Sequence, residues 1–147
     1  MTHLDPSALS ILQAVFGMGL LTFAMAIWMS LVRMPAMQQA GLTLQDAAHT
    51  ADIRSRMPSS ATRVADNYNH LFEAPTVFYA VALGIVVAGL ADPLFAACAW
   101  AFLGVRVVHS VVQATFNRVA VRAILYGLSW LALAVMIVRG MLALLAA

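Results

Sequence analysis

Four apolar runs, at about 8–32, 67–91, 94–116 and 119–146, fill most of a 147-residue chain, and each is long enough to cross a bilayer as a helix. A crossing takes about 20 residues, because each residue of a helix advances about 1.5 Å through hydrocarbon about 30 Å thick. Lipid offers no partner to backbone N–H and C=O groups, so runs of this kind have to fold as helices. The expected fold is all-α: one domain, an antiparallel bundle of four transmembrane helices. With 63% apolar and 10% charged residues the composition excludes a soluble domain, and a net charge of +2 gives no argument for nucleic acid.

The distribution of charge carries more information than its total. All eight basic residues are Arg. Arg33, Arg54, Arg56 and Arg63 lie on the 33–65 connection, and Arg118 and Arg122 flank the connection between the third and fourth runs. The other face holds Asp5, Asp92 and a single arginine, Arg139. Because cytoplasmic loops collect Arg, both arginine-bearing connections are expected in the cytoplasm and both termini outside. The leader M-T-H-L-D-P lacks a basic residue and the first run is too long for an h-region, so no cleavable signal peptide is expected. Cys98 is alone, which rules out an internal disulfide. The Arg-only basic set and the Ala richness point to a GC-rich bacterial genome, hence to a bacterial inner membrane.

Turn signals set the expected boundaries. Pro35 is expected to mark the exit of the first helix. Thr43-Leu44-Gln45-Asp46 reads as a helix N-cap, so a short interfacial helix is expected after it. Ser60 or Thr62 is available to cap the second helix, and Pro93 suits the first turn of the third. Small residues four apart, Gly84 with Ala88 and Ala97 with Ala101, would let helices approach closely in lipid. His3 and His49 read as solvent residues.

Polar residues interrupt the apolar runs on separate helices but toward one side of the membrane. His70 and Glu73, and Asn69 and Glu73, are one turn apart and share a face. Arg106, His109 and Gln113 form an i, i+3, i+7 stripe, and Arg122, Tyr126 and Ser129 form an i, i+4, i+7 stripe. An acidic residue at mid-membrane costs roughly 2.5–3.5 kcal/mol even on the lenient scale, so Glu73 needs a partner. A Glu73–Arg106 pair is the expected one, equally consistent with a structural role and with ligand contact. Spacing alone also leaves His109 as an interhelical hydrogen-bonder, Arg118 as a snorkelling topology determinant and Tyr126 as an interfacial aromatic. No metal site is expected, since His70, Glu73 and His109 do not have a strong ligand spacing.

At these residues the chain resembles the MAPEG superfamily, the membrane-associated proteins of eicosanoid and glutathione metabolism. The segment Arg106-Val107-Val108-His109-Ser110, followed by Gln113, Arg118, Arg122 and Tyr126, is similar to the R-x-x-H-T segment of microsomal prostaglandin E synthase and its downstream spacing. Arg63, followed ten residues later by Glu73, resembles the family's arginine-to-glutamate stretch. The resemblance implies a homotrimer with glutathione sites between subunits, open to the cytoplasm. It places Arg122 beside the glutathione sulfur, favouring thiolate, as the catalytic residue. Glu73, Arg106 and Tyr126 would hold the peptide, Arg33 would complete the pocket, and Asn69, His70, His109 and Gln113 would line it. The implied activity is a glutathione-dependent transferase or peroxidase acting on a lipophilic electrophile or lipid hydroperoxide arriving through membrane lipids. The chain departs from the family at His70, where glutathione-using members carry Asn, at Asp66 and Asn69, where they are basic, and at Gln113, where tyrosine is expected. Those departures keep a second reading open, a non-catalytic member binding a lipid or apolar ligand in the same cleft. A third, a small four-span transporter, is disfavoured because arginine stripes suit anions better than exported cations.

Overall fold

In the computed structural model, residues 5–48 and 53–146 are described; His3 and His49 lie outside them. Among the described residues every regular element is helical. The helices are α1 (Pro6–Gln39), α2 (Ser59–His70), α3 (Ala74–Val87), α4 (Pro93–Ala114) and α5 (Val119–Leu145), with short 3-10 turns at Gln45–Ala48 and Arg54–Arg56. Four stretches are long and apolar enough to cross a membrane: Pro6–Gln39, Ser59–Val87, Pro93–Ala114 and Val119–Leu145. The chain is an integral membrane protein with four such helices.

The buried faces follow helical periodicity. Ile11, Ala14, Met18 and Met25 of α1, Ala74, Phe78, Ala82 and Ile85 of α3, and Ser129, Leu133, Met136 and Gly140 of α5 turn inward. Phe78 stacks on Phe102 of α4 with ring centroids 4.5 Å apart and planes 8° from parallel. Lipid tails are as apolar as these side chains, so close packing rather than hydrophobic transfer holds the helices together. Gly17 shows how close: a Cβ there would come within 2.6 Å of Leu103 Cδ2 on α4. By contrast, Gly84 faces open space within the single chain.

Three boundaries differ from those expected. The first helix does not leave at Pro35 but runs through it to Gln39. Pro35 forfeits one backbone bond, yet the next turn buries Ala36 and Met37, and Met37 packs with Leu42 and Ile53 in a small second core. The helix then ends in a Schellman turn on Gly41 (φ 65°), with Leu42 N–H on the Met37 carbonyl at 2.9 Å. The second span begins at Ser59, eight or so residues early, with Pro58 as its cap residue and neither Ser60 nor Thr62 capping it. Its first half is polar and amphipathic, burying Ala61, Val64 and Asn67, so a hydropathy run does not register it. That span is also broken, by a turn at residues 71–73.

The cap on the loop does form. Asp46 accepts from Thr43 N–H and Thr43 Oγ1, both at 2.7 Å, while Asp46 N–H reaches Thr43 Oγ1 at 3.4 Å. These bonds hold the Asp46 carboxyl below its ordinary value.

At the other end of the bundle, Asp92 joins three elements. α3 ends on Gly89 (φ 68°); Asp92 then accepts from Leu94 N–H and Phe95 N–H at 2.9 Å, capping α4, with Pro93 in the first turn. Its carboxylate also takes Arg139 Nη1 of α5 at 2.7 Å, and that guanidinium lies 4.6 Å over the Phe95 ring. The Arg139 bond, and then the Phe95 N–H, hold the Asp92 carboxyl below its ordinary 3.8. A depressed carboxylate contributes stability above its unfolded pKa, and this is lost as pH falls through the folded value. Detergent-solubilised protein is therefore expected to lose thermal stability on acidification below 3.8, and Asp92→Asn to show a shallower acid dependence. Asp92→Ala, which also loses the cap, should cost about 1 kcal/mol more. Equal acid dependence in wild type and Asp92→Asn would remove this ion pair from the account.

Candidate functional site

The break in the second span generates the site. Pro75 has no N–H to give the Leu71 carbonyl and its ring crowds that group, which favours a break between 71 and 75. The backbone tightens instead, Leu71 N–H reaching Tyr68 O at 3.1 Å and Phe72 N–H reaching Asn69 O at 3.0 Å. In a continuous helix the His70 carbonyl would accept from Ala74. Here it receives only Glu73 N–H at 3.4 Å and, from α4, Arg106 Nη2 at 2.8 Å. A carbonyl released by the break is thus met by an arginine from the neighbouring helix.

Arg106 is fully buried, and its Nε and Nη1 have no hydrogen-bond partner. The expected Glu73–Arg106 ion pair is not formed in the single chain. Glu73 sits at the outward corner of the break, about half exposed, and holds His70 Nδ1 at 3.0 Å. Glu73 and Tyr126 remain within longer electrostatic range of the guanidinium. His109 and Gln113 are buried on the same face of α4, and the His109 ring lies edge-on to His70 with centroids 6.5 Å apart.

Two buried members escape a reading of the charged residues alone. Asn67 is fully buried with both amide atoms unpartnered, and Ser110 Oγ is likewise unpartnered. Spacing could have found both: Arg63, Asn67 and His70 are i, i+4, i+7 on α2, and Arg106, Ser110 and Gln113 repeat that pattern on α4.

The remaining predicted residues fall into two places. Arg122 is set by the short α4–α5 turn, where Asn117 takes the left-handed conformation (φ 50°) that its short amide side chain tolerates. Asn117 Oδ1 accepts from Arg122 Nη1 at 2.6 Å, holding the guanidinium near His109. Tyr126, one turn on, is more exposed, its ring edge-on to Trp130. Arg33 and Asn69 are not in this cluster. They line a pocket of about 380 Å³ between the end of α1, the loop and α2, floored by Met29, Ile53 and Met57. Its rim carries a bidentate ion pair, Arg54 to Asp66 at 2.8 and 2.7 Å, unanticipated from sequence.

The arrangement is rich in donors and poor in carboxylates. Among the described residues only Arg54 and Arg139 pair with a carboxylate. Arg33, Arg56, Arg63, Arg106, Arg118 and Arg122 do not, and all lie toward the end where α2 begins. Such a site favours an anion with hydrogen-bond acceptors. Arg106→Met keeps an apolar stem but abandons the His70 carbonyl, which should cost about 1–3 kcal/mol. The unfolding free energy in a denaturing-detergent titration is expected to fall by that amount; an unchanged value would show that the break does not depend on this bond.

Comparison with known proteins follows the same lines. No curated protein and no solved structure matches the chain. The sequence model of the MAPEG family matches residues 11–142, a stretch that takes in the broken second span and the polar stripes of α4 and α5. The chain belongs to the MAPEG family.

Proposed function

We propose that the protein is a glutathione-dependent transferase or peroxidase acting on lipophilic electrophiles or lipid hydroperoxides. The observation that carries this reading is the fully buried Arg106 with two unspent donors, within a set of arginines that form no ion pair with a carboxylate among the described residues. A guanidinium without a paired carboxylate is costly at membrane depth, and a ligand bearing carboxylates offsets that cost. Family members generally use glutathione, which carries two carboxylates and amide acceptors, so the orphaned donors fit it. Arg106, Asn67 and Gln113 would hold its peptide, with Glu73, His70, His109 and Tyr126 around them. Bound there, it would supply a sulfur nucleophile. Arg122, fixed by Asn117, provides a cation that lowers a thiol's pKa and stabilises the ionised form.

The site belongs between subunits of a homotrimer in this reading. His70 and Glu73 are about one-third and one-half exposed on a membrane-embedded element. Hydrocarbon cannot solvate a carboxylate, so a neighbouring subunit and a water-filled cleft would cover them. Arg33 would then complete a cleft from its own pocket. The arginine-bearing connections face the cytoplasm and both termini face the periplasm of a bacterial inner membrane, the orientation that collects Arg inside.

A second reading draws on the 380 Å³ pocket, whose methionine floor and charged rim would suit a lipid or other amphiphile without any chemistry. Calorimetry on detergent-solubilised protein separates the two. Glutathione is expected to bind saturably, and Arg122→Ala to weaken binding about ten- to hundred-fold, the loss of a charge-assisted contact. No binding at millimolar glutathione would favour the amphiphile reading, and binding untouched in Arg122→Ala would remove that residue from the site.

A further inference from the structure

Lowering a thiol's pKa is only half of an ionisation, because the proton has to go somewhere. A guanidinium cannot take it, so water in the cleft or a side-chain base has to. The break in the second span supplies an acceptor. An ionised carboxylate can only accept hydrogen bonds, so the 3.0 Å contact between His70 Nδ1 and Glu73 Oε2 places the imidazole hydrogen on Nδ1. The lone pair is then on Nε2 of a side chain about one-third exposed. The carboxylate fixes the tautomer and would stabilise the imidazolium that forms, the arrangement by which a carboxylate makes histidine an effective base.

We infer that His70 and Glu73 form a carboxylate–imidazole dyad whose Nε2 accepts the proton of a thiol ligand. This rests on the thiol-ligand reading above. The S–H bond breaks, an N–H bond forms, and the electron pair stays on sulfur. When sulfur is consumed, His70 returns the proton to the anionic atom of the product. The groups facing the dyad include cations, which disfavour a further positive charge, so the Glu73 carboxylate is what would make an imidazolium tolerable there. Arg106 and His109 approach from α4, Arg106 spending one donor on the His70 carbonyl rather than on the ring. Arg122 of α5 is within electrostatic range of His109 and Tyr126 within range of Arg106, while Arg33 of α1 lines the same pocket as Asn69. The dyad depends on features of this chain: histidine three residues before the glutamate, and a proline two residues after it that turns both outward. An asparagine in place of His70 could bind a ligand but could not hold a proton.

Proton bookkeeping on the 147-residue protein in detergent tests the dyad directly. Glutathione is titrated in buffers of different ionisation enthalpy while the thiolate absorbance of the bound ligand is followed. In wild type the thiolate band is expected with almost no proton released to buffer. His70→Asn is expected to release about one proton per thiolate formed, or to leave the thiol un-ionised. Glu73→Gln, which keeps the imidazole, should fall between them and covers the case of a poorly folded His70→Asn. Release of about one proton by wild type, or identical behaviour of wild type and both variants, would overturn the dyad while leaving glutathione binding intact. Binding by wild type with no thiolate band would overturn it as well. Failure of wild type to bind glutathione at all would end the thiol reading, and the dyad with it.

Discussion

The bond from Arg106 to the carbonyl of His70 is the constraint on which the polar end of the bundle depends. The second span breaks just before Pro75, and a break in a membrane helix is tolerable only when another group meets the freed carbonyls. Arg106 reaches across from α4 with Nη2 at 2.8 Å to do so. Its guanidinium is thereby drawn wholly into the protein, beside His109, Ser110 and Gln113 on the same helix face. One donor is spent on the backbone and two atoms, Nε and Nη1, are left over. A structural repair thus leaves a cation in need of acceptors, and the same break turns Glu73 and His70 outward where a ligand could reach them.

The two ends of the bundle differ in whether their charges are satisfied. At the Asp92 end, one carboxylate caps α4, pairs with Arg139 and leaves that guanidinium stacked over Phe95. The charges there are satisfied within the chain. At the Arg106 end, the carboxylates are already committed locally, Asp46 to Thr43, Asp66 to Arg54 and Glu73 to His70, while the arginines keep free donors. Net charge concentrated in a low-dielectric cleft is a device for attracting an opposite charge. The asymmetry, rather than any single residue, is what supports the Arg106 end as the candidate site.

The four spans were legible because lipid leaves an apolar run no alternative to helix. The stripe Arg106–His109–Gln113 was legible for a similar reason, since helical spacing alone puts the three on one face. Less visible were features decided by packing. Pro35 reads as a stop, but burial of Ala36 and Met37 in the second core carries the helix past it. Ser59–His70 is too polar to register by hydropathy, although its inward face is continuous. The Glu73–Arg106 pair looked required by charge, yet local geometry favoured the imidazole one turn away and left the arginine to a carbonyl. Asn67 and Ser110 were not assigned to the site, because spacing does not show which polar side chains end up buried without a partner, yet burial makes their unpaired atoms as consequential as the arginine's.

Burial and exposure together also bear on why the chain should not function as an isolated subunit. A carboxylate and an imidazole that face outward from a membrane helix are stable only against water or protein, never against acyl chains. Gly84 on the same span faces open space, so the chain there offers a surface another helix could approach closely. A neighbouring copy would close the hydrocarbon off from Glu73 and His70 while leaving a polar channel to the arginine-rich face. On the proposed reading, folding, assembly and chemistry would therefore meet at the break before Pro75: what is unsatisfied within one chain is what a partner subunit and an anionic ligand would jointly complete.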